Sequence, residues 1–156
     1  MKFADNFNEI LTTFALNNVE FLVVGGYAVN FYGYDRITSD LDVWINPIGE
    51  NKPRIEKALI DLKYIQPGDG HVSGLDFSQP CCFRLGDEKH TVDVFTHVVG
   101  VNFKDAWADK ILFQTEADAR IYFISLKHLI VNKMLAGRDK DKIDVDALQR
   151  IVKLKK

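Results

Sequence analysis

A chain of 156 residues suffices for one domain, which at this size buries roughly 70% of the surface its unfolded form exposes and needs no staple or partner to fold. Twenty Lys and Arg against 22 Asp and Glu leave a net charge of −2, which excludes a protein held on nucleic acid by bulk charge but allows a local basic patch. The two cysteines, Cys81 and Cys82, are adjacent, so they form neither a zinc site nor a disulfide framework and read as small core residues in a reducing compartment.

Residues 1–18 lack the basic start and continuous apolar stretch of a signal peptide, and no segment approaches the roughly 20 apolar residues that span a bilayer. A cytoplasmic protein with no membrane partner is expected. In that first segment Phe3, Phe7, Ile10, Leu11 and Phe14 recur at three- and four-residue steps, which predicts an amphipathic helix ended by Asn17-Asn18. Residues 20–24 form a β-rich run, residues 26–32 a short helix and residues 40–45 a second strand closed by Pro47 and Gly49. Ile55, Leu59 and Leu62 place a third helix over residues 53–62.

Residues 68–80 are rich in Gly, Ser and Asp without a period, and read as a long loop of the kind that often has a function. Residues 81–85 and 91–96 are apolar runs joined by a plausible hairpin turn, and two short strands are expected near residues 110–113 and 120–124. Ser125 is an N-cap for a helix carrying Leu126, Leu129, Ile130 and Met134 and stopping at Gly137. A last helix over residues 139–153 is expected to turn Ile143, Leu148, Ile151 and Val152 inward.

Two features in this series carry chemistry. The apolar run Phe21-Leu22-Val23-Val24 ends in Gly25-Gly26, a sharp strand-to-helix turn that leaves backbone N–H groups facing an anion. Fourteen residues beyond Gly26 begins Asp40-Leu41-Asp42. Strand side chains alternate, so Asp40, Asp42 and Trp44 share one face, the two carboxylates about 7 Å apart at the backbone, while Leu41, Val43 and Ile45 face the core. In Val92-Asp93-Val94 the valines mark the buried face and Asp93 points away, so pairing beside the first acidic strand makes a triad. Carboxylates about 4 Å apart repel by roughly 4 kcal/mol at an effective dielectric of 20, and a hard cation relieves this. All-oxygen ligation suits Mg²⁺ or Mn²⁺ and leaves room for phosphates.

Gly25-Gly26, the thirteen residues 27–39, Asp40-Leu41-Asp42 and Asp93 resemble, in order and spacing, the nucleotidyltransferase superfamily motif of Gly, then Gly or Ser, a gap, Asp-x-Asp and a later third acid. The C-terminal Lys127, Lys133, Ala136-Gly137-Arg138, Lys140-Asp141 and Asp144 are similar to the tail of the small bacterial branch that includes abortive-infection toxins and antibiotic nucleotidyltransferases. The resemblance implies a two-metal mechanism in which Asp40 and Asp42 hold both ions and Asp93 one, near the attacking hydroxyl, with a nucleoside triphosphate as donor. The acceptor it implies is an RNA such as tRNA, a protein or a small molecule. Gly26 departs from the common Gly-Ser form and offers only a backbone N–H.

Several residues carry two readings. Arg36 meets a phosphate or pairs with Asp35 or Asp40; Thr38 orients a carboxylate or is a strand-edge hydroxyl. Family position gives Lys133 a nucleotide role, against exposure as for most helical lysines. Asp139, Asp141, Asp144 and Asp146 read as the acidic start of a charged helix, and Trp44 as a base-stacking residue or a strand-end filler. His71, His90, His97 and His128 share no metal-ligand spacing. A basic cluster around Lys127, Lys133, Arg138 and Lys140 points to RNA, whereas an acidic pocket under loop 68–80 points to a cationic drug.

The expected architecture is a single α/β domain, a mixed sheet with helices on one side, the acids on the exposed face and a C-terminal helix pair. The expected function is nucleotidyl transfer, with a non-catalytic nucleotide-binding or antitoxin-like module as the alternative.

Overall fold

In the computed structural model, which describes residues 1–155, the elements run α1 (Asp5–Leu16), β1 (Phe21–Val24), α2 (Gly25–Phe31), β2 (Leu41–Ile45), α3 (Asn51–Asp61), β3 (Cys82–Gly86), β4 (Thr91–Phe95), α4 (Phe103–Ala108), β5 (Ile111–Gln114), β6 (Arg120–Phe123), α5 (Leu126–Ala136) and α6 (Asp139–Leu154). The strands form one mixed sheet in the order β3-β4-β2-β1-β6-β5. β2 and β4 run parallel, as do β1 and β6, and the other neighbours pair antiparallel. The architecture is thus the flanked mixed sheet with a C-terminal helix pair, α5 packing on α6.

The apolar stripe of α1 buries Phe7, Ile10, Leu11 and Phe14. Phe14 meets Phe21 of β1 edge-on at 5.7 Å, so the helix is pinned to the first central strand. Truncating such a ring to Ala costs about 3–5 kcal/mol. Asn18 ends the segment with a positive φ of 57°, a conformation asparagine tolerates better than most residues. At the other end of the chain, Ser125 Oγ accepts from the His128 backbone N–H and Gly137 closes α5 with φ 65°, so both punctuation signals act where they were expected.

Four expectations need correction. The acid-bearing face is not free of helices: α4 covers its far end, with Phe103 packing on Trp44 at 5.1 Å and Trp107 on Tyr122 at 5.4 Å. At six residues α4 is too short to show a period, and its one sequence signal is Asn102, whose side chain accepts from the Asp105 N–H at 2.9 Å. Cys82 is exposed and Cys81 only partly covered, its thiol donating to the Asp76 carbonyl at 3.0 Å, because this hairpin lies at the sheet edge. Ile143 is 59% exposed while Leu148 is buried, because α6 turns Asp141 and Asp144 inward in its first turns instead.

Loop 68–80 does not form an acidic pocket. Val72 and Phe77 are buried, and with Leu59, Phe83 and Leu85 the loop lines an apolar pocket of about 320 Å³. Phe83 and Leu85 pair in register with Val94 and Val92, so that pocket opens on the side of the sheet opposite the acids.

Candidate functional site

Strand register sets four residues in one row across the sheet. Val24 lies opposite Asp42, Asp42 opposite Asp93, and Asp93 opposite Arg84. Neighbouring strands are about 4.8 Å apart, so the row runs from the glycine turn at one end through two carboxylates to a guanidinium at the sheet edge. Asp40 is exposed and stands one residue before β2 rather than within it. Asp40, Asp42 and Asp93 all line one cleft of about 540 Å³, together with Gly25, Gly26 and Lys133.

Gly25 is there because nothing larger fits. Its φ is +66°, and a Cβ at that position would lie 2.1 Å from Asp42 Oδ2. The strand-to-helix turn therefore lies directly against the acid. Asp42 is drawn up to a pKa of about 6, first by burial and then by Asp93, with Asp40 adding to the effect and Lys133 and Lys140 opposing it. Burial and the neighbouring acids together thus disfavour the charged form of Asp42.

Gly26 has a different reason to be glycine. A Cβ there would come within 2.4 Å of Thr38 Oγ1 and 3.3 Å of Arg36 Nη2. Thr38 occupies the space a residue-26 side chain would take and puts a hydroxyl in it. That hydroxyl makes only a long, 3.5 Å contact to the Asp40 carbonyl.

The second wall of the cleft is a buried ion cluster. Arg36 forks onto Asp144, Nε to Oδ1 at 2.8 Å and Nη2 to Oδ2 at 3.0 Å, so its partner is neither Asp35 nor Asp40. Lys133, 4% exposed, donates to Asp141 at 3.1 Å and pairs with Asp144 at 2.9 Å. Arg138 donates from Nε to Asp141 Oδ2 at 2.6 Å. The break at Gly137 folds Arg138 back, so both cations meet the same carboxylate. Burial pushes Asp141 up, yet the Arg138 and Lys133 hydrogen bonds outweigh it and hold the carboxyl below its ordinary value.

Asp141 and Asp144 are therefore not merely the acidic start of a solvated helix: both are fully buried. Their i, i+3 spacing, which sets both on one face of α6, was the available signal. Arg36, Lys133 and Arg138 against these two acids leave one unit of positive charge, and Lys140 adds to it at the cleft margin. Lys127 is exposed and does not line the cleft, so the basic patch is smaller than the sequence suggested.

Trp44 is 1% exposed, its indole N–H donating to the Thr96 carbonyl at 2.9 Å, and it is not available to stack on a base. His97 lines the cleft with its Nδ1 2.7 Å from Thr96 Oγ1. A residue the sequence reading passed over is Arg84, whose Nε donates to Asp93 Oδ1 at 2.8 Å. Its position between Phe83 and Leu85, facing Asp93 across the hairpin, was the signal. Among the described residues no three His, Cys, Asp or Glu side chains close into a ready-made metal cage. The three cleft carboxylates nonetheless supply hard oxygen donors suited to a Mg²⁺-type ion rather than to zinc.

A glycine turn, carboxylates on adjacent central strands and a cationic wall over one cleft define a protein of the nucleotidyltransferase class. The chain belongs to the family described as "Nucleotidyltransferase of unknown function (DUF6036)", whose model matches residues 2–154. No curated protein sequence matches it. Among solved structures it is similar to ANT(2″)-Ia in complex with adenylyl-2″-tobramycin, with 11% identity, a TM-score of 0.47, and coverage of 93% of this chain and 95% of that one. The tobramycin adduct belongs to that protein. Among the described residues no helix is long and apolar enough to cross a membrane.

Proposed function

We propose that this chain is a Mg²⁺- or Mn²⁺-dependent enzyme that moves a nucleoside monophosphate from a nucleoside triphosphate to an acceptor hydroxyl. The observation that carries the reading is the register row, in which the turn at Gly25 abuts Asp42 and Asp42 neighbours Asp93. Asp40, Asp42 and Asp93 would hold the cation, which when bound neutralises their charge and polarises the phosphate oxygens.

The chain's own groups divide the remaining work. The backbone N–H groups at Gly25 and Gly26 and the Thr38 hydroxyl face the donor phosphates. The net positive wall of Arg36, Lys133 and Arg138, with Lys140, lowers the cost of bringing a tetra-anionic triphosphate beside three carboxylates. The acceptor oxygen attacks the α-phosphorus, the new O–P bond forms as the bond to the bridging oxygen breaks, and pyrophosphate leaves with that electron pair. Asp93, the acid at the open side of the row, takes the hydroxyl proton.

A nucleotide-binding module without turnover is the second reading, and one contact favours it: Arg84 engages the acid that would take the proton. One experiment separates the two. The chain is incubated with Mg²⁺, α-labelled triphosphates and a cell extract, and label transfer and pyrophosphate are measured. Transfer that Asp42→Asn abolishes supports the enzyme. Transfer that survives in that variant sinks the site assignment, and tight triphosphate binding without transfer favours the module.

A further inference from the structure

The row that carries the donor reading also has an acceptor end. In-line displacement requires the attacking oxygen to enter opposite the leaving pyrophosphate. With the phosphates at the Gly25 end, the acceptor approaches from the side of Asp93 and β3, the edge strand. The cation on that side is Arg84. Its side chain is 71% exposed, and apart from the Nε contact to Asp93 its guanidinium makes no hydrogen bond among the described residues. Four N–H donors of a planar fork are thus turned to solvent one strand beyond the acid that faces the acceptor.

The charges of the cleft lead to the same answer. Its lining carboxylates among the described residues are Asp40, Asp42 and Asp93, each already engaged under the proposed reading in holding the cation or taking the hydroxyl proton, and its other charged groups are Arg36, Lys133, Arg138 and Lys140. A polycationic acceptor finds no spare acid there. Resting on the nucleotidyl-transfer reading, we propose that Arg84 reads the acceptor, and that the acceptor carries a phosphate within reach of its attacking hydroxyl. That phosphate takes the place of Asp93 at the guanidinium, which releases the Asp93 carboxylate to accept the hydroxyl proton. An exposed ion pair is weak and easily exchanged, whereas the Arg–phosphate fork is bidentate.

The test measures binding to the full chain with Mg²⁺ and α,β-methylene-ATP present, using two phosphate-bearing probes: a 5′-fluorescein hexaribonucleotide with a free 3′-hydroxyl, and glycerol 3-phosphate. In the Arg84→Gln variant, affinity for the accepted probe should fall about ten- to hundredfold, the loss expected for a charge-assisted hydrogen bond, while Arg84→Lys recovers part of it. Affinity for α,β-methylene-ATP should not change. Loss confined to the hexaribonucleotide identifies a nucleic-acid acceptor, and loss confined to glycerol 3-phosphate a small phosphorylated one. If Arg84→Gln binds both probes as the unaltered chain does, or the unaltered chain binds neither probe while binding α,β-methylene-ATP, the inference is overturned and the donor reading stands. If the unaltered chain does not bind α,β-methylene-ATP, the donor reading falls and this inference with it.

Discussion

Asp42 Oδ2 occupies the space that a side chain at Gly25 would need, 2.1 Å from the position of its Cβ. The turn and the acid are therefore one structural unit, and a side chain at position 25 would displace the carboxylate. Gly25→Ala should lose transfer activity about a hundredfold or more, since misplacement of a reacting group by about 1 Å is worth that much. Gly33→Ala is the control, because Gly33 also has a positive φ, +110°, but an added Cβ there meets only Ile151 at 3.7 Å. It should cost about 1–2 kcal/mol of stability in thermal melting and leave activity near normal.

The raised pKa of Asp42 sets a pH signature. Its folded-state value of about 6 lies above the ordinary 3.8, so the folded chain holds a proton that the unfolded chain has released between those two pH values. Asp42's contribution to the stability of the metal-free protein should accordingly fall as pH rises from about 4 to 6, and its penalty should be complete above that window. Asp42→Asn should stabilise the metal-free chain at pH 7.5 by about 1–3 kcal/mol, and that gain should disappear near pH 4. Urea unfolding at the two pH values checks it; an equal gain at both would show that the carboxylate charge is not the cause.

Added Mg²⁺ should reverse the sign of that comparison. A cation at the three acids stabilises the unaltered chain by mass action, by about 2.7 kcal/mol at a hundred times its Kd, and Asp42→Asn should lose most of this. Melting curves with and without millimolar Mg²⁺ at pH 7.5 and pH 5 measure it. The metal-dependent shift should be larger at pH 7.5, where Asp42 is ionised without competition from protons.

Lys133 sits between two buried carboxylates, and removing it leaves both short of a partner. Lys133→Met should cost about 3–5 kcal/mol in urea unfolding, the range for breaking a buried ion pair from one side. Lys140→Met, at an exposed position on the cleft margin, should cost less than about 0.5 kcal/mol.

Thr38 and Gly26 exchange a single volume. Gly26→Ser alone should abolish triphosphate binding because its Cβ runs into the Thr38 hydroxyl, whereas Gly26→Ser combined with Thr38→Gly should restore much of it. A double-mutant cycle on triphosphate affinity detects the coupling, expected at about 0.5–3 kcal/mol for groups in contact. Additive losses would show that the two positions act separately.

Elements are most legible in the sequence where a local rule and a long-range one agree. The strands around Asp42 and Asp93 were legible because valines alternate with acids, and the two acids do stand in register on adjacent strands. The ends of α5 were legible from Ser125 and Gly137. What stayed hidden depends on tertiary pairing: Asp144 looks like any acid in a helix's first turns until Arg36, 108 residues away, is laid against it. Trp44 was ambiguous for a similar reason, since α4, too short to announce itself, covers it. Arg84 was missed because an arginine on an edge strand ordinarily has no special meaning.

The link between Arg36 and Asp144 also constrains when the cleft can come into being during synthesis. The glycine turn and all three acids precede residue 94, but the positive wall facing them is assembled from α5 and α6, and its hold on Arg36 requires residue 144. A nascent chain emerging from the ribosome therefore presents its three acids and Arg36 well before Lys133 and Arg138, and before the carboxylates that anchor these cations. The last helix acts as a closing key: a chain cut before it would carry the three acids and the cations Arg36, Lys133 and Arg138, but lack the Asp141 and Asp144 carboxylates that hold those cations in place.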